Sequence, residues 1–282
     1  METIRLGLQK YLVGHKIIDV EVRLKKMVTG DPKNIIGAKV KSVERFGKGL
    51  VINLNNGYSI AAHIKLTGQF VYRDSITSKL KMSSKVGKEI PNKFTHVIFK
   101  LDKNANLYYN DIRQFGWIKV LKTKDLKTIP FFKDLGPEPP VAKAMEGQAL
   151  LTFNKFKEII SKSSVAIKSL LLDQKKIGGI GNIYANDGLF EAKINPRRKA
   201  KTLTDLEIKK LYDSILKVLK KGLENGGASE LNYVNALGQE GKYQHHFLAY
   251  GQDGKPCVRC GTVMKKITLG GRGTYFCPVC QK

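Results

Sequence analysis

The chain has 282 residues, 42% of them hydrophobic and 26% charged, a balance that supports buried cores and excludes wholesale disorder. Lys and Arg number 50 against 24 Asp and Glu, giving a formal charge of +26. That surplus sets aside a neutral-metabolite enzyme in favour of a polyanion binder, because each cation placed on a phosphate releases condensed counterions.

Residues 1–13 place Ile4, Leu8 and Leu12 on one helical stripe. The same opening stretch is broken by charges and lacks a secretory core, and no run of about 18 apolar residues is present to span a bilayer, so a cytoplasmic location is expected. From about 17 to 121 the pattern is strand-like. Residues 49–54 and 58–63 flank Asn55-Asn56-Gly57 as a hairpin, and 97–101, 107–110 and 117–121 continue the theme around a polar turn at 102–106. An antiparallel sandwich or barrel follows. Gly136-Pro137-Glu138-Pro139-Pro140 cannot continue a helix or a central strand and marks a linker. Beyond it the periodicity predicts helices over 150–161 and 165–173, and a third from about Asn182. The clearest helix starts at Thr204, which pairs with Glu207 in a capping-box pattern, with Leu203 and Ile208 as a hydrophobic staple and Gly226-Gly227 as its stop.

All four cysteines lie in the tail, as Cys257-x-x-Cys260 and Cys277-x-x-Cys280 separated by sixteen residues. Two matched knuckles offer four thiolates at tetrahedral spacing, which suits one zinc ion in a reducing compartment. A redox pair is the alternative, and it does not account for two matched pairs. Four thiolates close the coordination sphere, so such a metal is structural and carries no catalytic water.

Other segments read two ways. Residues 174–185 form a glycine-rich turn entering a helix, as suited to packing as to holding a phosphate with Asn182; a nucleotide-binding loop would need a preceding strand and a Lys-Ser/Thr pair. In Asp111-Ile112-Arg113-Gln114-Phe115-Gly116 a cation and an aromatic stand two apart, as needed to fill a gap in a base stack, or as an ordinary surface and core residue. Lys48, between two glycines, says little by itself. His63, His96, His245 and His246 show no metal-ligand spacing.

Taken in order, Glu2-Thr3-x-Arg5-x-Gly7-Leu8, Lys48, His63-x-x-Leu66-Thr67-Gly68, the 111–116 segment, Gly136-Pro137-Glu138-Pro139, Gly179-Ile180-Gly181-Asn182-Ile183-Tyr184-Ala185 and the cysteine tail closely resemble the formamidopyrimidine-DNA glycosylase (endonuclease VIII-like) family. The resemblance covers essentially the whole chain. It implies an α+β protein with an N-terminal antiparallel β-sandwich domain (1–132), a linker (133–149), a helical helix-two-turn-helix domain (150–242) and a four-cysteine zinc ribbon (243–282). It also implies a base-excision-repair monomer that extrudes oxidised purines, 8-oxoguanine or formamidopyrimidines, from damaged double-stranded DNA. An amine attacks the sugar C1′, and β,δ-elimination nicks the strand. One structural Zn2+ and no small-molecule cofactor are implied. By matched position, Lys48 and Arg272 are the implied catalytic residues: Lys48 resembles a hairpin lysine that assists elimination, and Arg272 a finger arginine that holds phosphate with Asn182. Leu66, Arg113 and Phe115 resemble the trio that fills the vacated space, while His63 and Lys168 join the implied DNA-binding set. The stretch 226–242 falls where the family has a mobile loop over the flipped base.

The family opens Met-Pro-Glu-Leu-Pro-Glu-Val-Glu-Thr, with the exposed proline as nucleophile; here Met1 takes the place of that valine. An α-amine titrates near pH 8 and a lysine near 10, so a chain terminus supplies the free amine. The Met1 amine falls about five residues downstream of that place, and a misplacement of ~1 Å can cost about a hundredfold in rate. Leu66 replaces the usual methionine, Ile112 a proline and Gln114 a second arginine; the first swap conserves volume, and the last removes a phosphate or base contact. Two expectations follow: a glycosylase/lyase whose chain extends upstream, or a DNA- or lesion-binding protein without lyase activity. A zinc-ribbon RNA binder is a third, without the aromatic platform that such readers use.

Overall fold

Ile4, Leu8 and Leu12 form the buried stripe of α1 (Glu2–Leu12) in the computed structural model, which describes residues 1–141 and 149–282. The strands that follow are β1 (Ile17–Val22), β2 (Val28–Thr29), β3 (Val40–Phe46), β4 (Gly49–Leu54), β5 (Tyr58–His63), β6 (Gly68–Arg73), β7 (Thr95–Leu101), β8 (Asn106–Asp111) and β9 (Trp117–Lys122). They form two sheets, ordered β1-β7-β8-β6 and β2-β9-β5-β4-β3, antiparallel except where β2 meets β9. The expected sandwich is present. Alternation sends Phe70 and Tyr72 of β6 and Leu107 and Tyr109 of β8 into one core with Leu50, Ile52 and Ile60 of the other sheet. On the outer face of the second sheet, Val51 and Ala61 are covered by Phe131 and Phe132 of α2 (Pro130–Lys133) together with Trp117.

Two units divide the chain: Met1–Lys133 with Asn225–Gln244, and Asp134–Glu224 with His245–Lys282. The expected boundaries kept 225–242 with the helices, whereas the structure returns this segment to the first unit. The reason is burial: Ala236 joins the sandwich core, with Tyr233 and Leu237 packed against it, and the Tyr72 amide donates to the Ala236 carbonyl at 2.8 Å. Of the expected linker, 142–148 lie outside the described residues.

The second unit contains α3 (Phe153–Ser161), α4 (Ile167–Leu172), α5 (Asn182–Ala192), α6 (Asp205–Glu224) and the hairpin β10 (Lys265–Leu269) with β11 (Arg272–Phe276). Helix α3 starts later than 150 because the Thr152 hydroxyl accepts from the Lys155 amide at 3.3 Å, fixing Thr152 as its cap. The capping box before α6 forms reciprocally. The Thr204 amide donates to Glu207 Oε2 at 2.8 Å, and the Glu207 amide to Thr204 Oγ1 at 3.3 Å. Ile208, Leu211 and Ile215 then bury against Phe156, Ile160, Leu171 and Leu189. Among the described residues, no helix is long and apolar enough to cross a membrane.

Candidate nucleic-acid interface

In the first unit, two loops are locked together by one buried carboxylate. Asp111 Oδ1 accepts from the Thr67 hydroxyl and, at 3.2 Å, from the Arg113 amide, while Oδ2 accepts from the Gly116 amide at 2.8 Å. The Arg113 amide also reaches Thr67 Oγ1 at 3.1 Å, tying the 64–68 loop to the 111–116 loop. Gly116 is required here, since a Cβ would fall 1.9 Å from the Tyr109 hydroxyl. The lock leaves Leu66, Arg113 and Phe115 on the surface: Leu66 is 48% and Phe115 57% exposed. The Arg113 guanidinium lies 4.9 Å from the Phe115 ring centre. Phe115 is therefore not a core residue, and the pair presents a cation stacked on an aromatic face.

Lys48 sits in the turn between β3 and β4, beside a second polar cluster. Arg45 donates to the Gly47 carbonyl at 2.9 Å and to Glu2 Oε2 at 3.0 Å, and Arg5 donates to Glu2 Oε1 at 2.6 Å. Burial pushes the Glu2 carboxyl up, but the hydrogen bonds from Arg5 and Arg45 outweigh it and hold the group below the usual carboxylate range. The start of α1 is thus anchored to the strand that leads into the Lys48 turn. His63, buried at the end of β5, has Phe131 edge-on at 4.7 Å and accepts from the Lys65 amide at 2.9 Å. Burial, reinforced by the Lys65 and Lys48 cations, pushes this imidazole down to about 4.

In the second unit, Lys168 of α4 is fully buried and donates to the Gly273 carbonyl and to Thr274 Oγ1, both at 2.7 Å. Burial, then the charge of nearby Arg272, lowers its pKa to about 8. Asn182 at the start of α5 donates to the same Gly273 carbonyl at 3.2 Å, and Asn186 accepts from the Tyr275 amide at 2.8 Å. These bonds lay β11 against the opening turn of α5 and bring Lys168, Asn182 and the exposed Arg272 to one place. The helix opens at Gly181 without a side-chain cap and with clear space around that residue, an arrangement that can hold an anion. The two readings of the glycine-rich turn divide by residue: a Cβ at Gly178 would meet the Gly136 carbonyl at 2.7 Å, so Gly178 serves packing, and Gly181 leaves the helix end open.

The four cysteine sulfurs lie within 4.8 Å of one another, with Cys257 and Cys280 3.9 Å apart and Cys260 and Cys277 3.6 Å apart. A disulfide would need about 2.05 Å. Tetrahedral thiolates at about 2.3 Å from a metal stand ~3.8 Å from each other, so the set fits a four-sulfur metal site. Amides of the knuckles support it, Arg259 N donating to Cys257 Sγ at 3.4 Å and Cys280 N to Cys277 Sγ at 3.3 Å.

Residues 1–118 match the family model of the formamidopyrimidine-DNA glycosylase N-terminal domain, 135–232 that of the formamidopyrimidine-DNA glycosylase H2TH domain, and 254–282 that of a zinc finger found in FPG and IleRS. A formamidopyrimidine-DNA glycosylase of Pelotomaculum thermopropionicum is 40% identical across 100% of this chain and 97% of its own length. The chain belongs to the formamidopyrimidine-DNA glycosylase family. The homologous formamidopyrimidine-DNA glycosylase of Streptococcus mutans is 38% identical with the same coverage. A solved structure of Lactococcus lactis Fpg with abasic-site DNA superposes with a TM-score of 0.85 at 33% identity, covering 100% of this chain and 97% of that one. A complex of a variant of the same Fpg with Fapy-dG DNA gives 0.85 at 32%.

Within this formamidopyrimidine-DNA glycosylase fold, the sequence motifs named the surface residues but not what holds them. Thr67 and Asp111 lay inside quoted motifs, yet their joint role is a contact across 44 residues, and the Arg45 link to Glu2 spans 43. Neither has a local signature.

The His63 environment has a consequence for stability. The unfolded chain titrates this ring at 6.5 and the native state at about 4, so between those values the unfolded state binds the extra proton and stability falls as pH drops. The full loss is about 3 kcal/mol. Replacing His63 by glutamine is expected to flatten the denaturation midpoint over this window; an unchanged slope would assign the effect to other groups.

Proposed function

We propose that this protein is a base-excision DNA glycosylase and abasic-site lyase acting on oxidised purines in duplex DNA, as a monomer in the cytoplasm. The observation that carries the reading is the exposed Leu66, Arg113 and Phe115 set on two loops fastened by Asp111. An aromatic carrying a cation on its face, beside an aliphatic side chain, is the chemistry that fills the gap left by an extruded base. In the same reading, Asn182 and Arg272 hold a backbone phosphate while the buried Lys168 fixes β11 behind them through Gly273 and Thr274, His63 contacts DNA, Lys48 assists elimination, and 226–242 covers the flipped base. The ion on Cys257, Cys260, Cys277 and Cys280 is one Zn2+, which supplies structure and no nucleophile. The complexes of Lactococcus lactis Fpg with Fapy-dG and abasic-site DNA support the substrate class. Relatives matched across the whole chain carry the glycosylase name, which weighs against a binding-only protein.

Two measurements test this. Duplex containing a formamidopyrimidine is expected to bind at least about tenfold more tightly than undamaged duplex, about the discrimination one specifically read base position provides. Borohydride is expected to trap a covalent complex when Pro-Glu-Leu-Pro-Glu stands ahead of residue 1 with its proline exposed, and about a hundredfold less when Met1 is the terminus. Equal trapping by both forms would overturn the proline assignment, and no lesion preference in either would overturn the glycosylase reading.

A further inference from the structure

Between β6 and β7 the chain makes a detour, residues 74–94, that none of the roles above uses. Its stretch 82–90 lies against Asn225–Gln244, within the same unit. The Ser83 amide donates to the Gly238 carbonyl at 2.8 Å. Gln69 of β6 bridges the two segments, its Nε2 donating to the Asn232 carbonyl at 2.7 Å and the Lys85 carbonyl at 3.1 Å. The Glu240 carboxylate takes the Ser83 hydroxyl at 2.5 Å on one oxygen and the Lys85 ammonium at 2.8 Å on the other. The same ammonium donates to the Ser229 carbonyl. Beneath these, Val86 packs with Val71 and Val234.

The detour is a firm base, because Asn92 Nδ2 donates to the Val86 and Glu89 carbonyls at 2.9 Å each. The segment it grips leaves α6 through Gly226 and Gly227, both at positive φ, a conformation that favours glycine, and their carbonyls accept from the Tyr233 hydroxyl and the Tyr243 amide at 3.0 Å each. The ionic part is partly open to water, the Lys85 and Glu240 side chains being 25% and 38% exposed. Such a pair contributes a modest energy and fixes a defined geometry.

We propose that Lys85, together with Ser83, is a positioning residue that fastens Asn225–Gln244 to the sandwich, and that the fastened state sets how well an extruded purine is retained. The second half of this statement rests on the glycosylase reading above; the first does not.

The test uses the full chain in two assays: hydrogen exchange of amides 229–241, and the ratio of affinities for formamidopyrimidine-containing and undamaged duplex. Lys85→Ala is expected to speed exchange in this stretch about tenfold and to lower the affinity ratio about threefold or more. The ratio cancels the uniform loss from removing one cation. Lys85→Arg should keep both values near the parent, and the swap Lys85→Glu with Glu240→Lys should recover much of the slow exchange. Unchanged exchange in Lys85→Ala would overturn the fastening. Faster exchange with an intact ratio would overturn its role in base retention. A parent protein without lesion preference would count against the glycosylase reading, while the exchange measurement still decides the fastening.

Discussion

Cys260→Ser is expected to release the metal, loosen the β10–β11 hairpin and weaken duplex binding by more than about tenfold. Cys260 is exposed, so the substitution leaves packing intact and reports on ligation alone. A two-stranded hairpin is marginal without other support, and the strand β10 buries little. The small core beside it consists of Phe190, Ala249, Met264 and two of the ligands, Cys257 and Cys277, so the metal replaces apolar burial the ribbon does not have. Structural zinc contributes an apparent ~10–16 kcal/mol in peptide ribbons, far above any other term available here. The consequence reaches the proposed phosphate contacts directly: Gly273 and Thr274 of β11 are the two acceptors of the buried Lys168 ammonium. Without them Lys168 is a buried, unpaired cation and Arg272 has no fixed place. Metal content and duplex affinity check this together; affinity unchanged after metal loss would remove the ribbon from the binding surface.

Much of this was readable from local pattern. The Asn55-Asn56-Gly57 hairpin, the stripe of α1, the capping box at Thr204 and Glu207, and the paired cysteine knuckles each have a signature within a few residues, and each appears in the structure. What was not readable depends on distance along the chain. Segment Asn225–Gln244 contains no strand or helix among the described residues apart from a short turn of helix at Tyr243–His246. Its place is set by hydrogen bonds to Gln69, Tyr72 and Ser83, each more than 150 residues away in sequence. Lys168 was equally opaque: periodicity puts it on a helix, but only the tertiary approach of β11 makes a fully buried lysine tolerable. Phe115 illustrates the reverse. An aromatic near a strand end is usually core, and only the turn forced by Gln114 at positive φ and the Gly116 bond to Asp111 leaves it outside.

Asp111→Ala is expected to remove the arrangement that the proposed base-stack readout depends on, at a cost of about 3–5 kcal/mol. The side chain is fully buried and is the shared acceptor for Thr67, Arg113 and Gly116. Alanine leaves the Gly116 amide and the Thr67 hydroxyl without their acceptor and the Arg113 amide with Thr67 Oγ1 alone, in a site where a Cβ at Gly116 would clash with the Tyr109 hydroxyl. Against a typical total of about 5–15 kcal/mol, such a loss lowers the melting temperature by roughly 10 °C. Phe115→Ala provides the contrast. Its ring is mostly in solvent, so stability should stay within about 0.5 kcal/mol, while the preference for lesion-containing duplex falls. The two variants therefore separate holding the loop from touching DNA: Asp111→Ala loses both stability and preference, Phe115→Ala preference alone. If Phe115→Ala destabilised the protein as much as Asp111→Ala, the exposed ring would be a packing residue and its assignment to the DNA surface would fail.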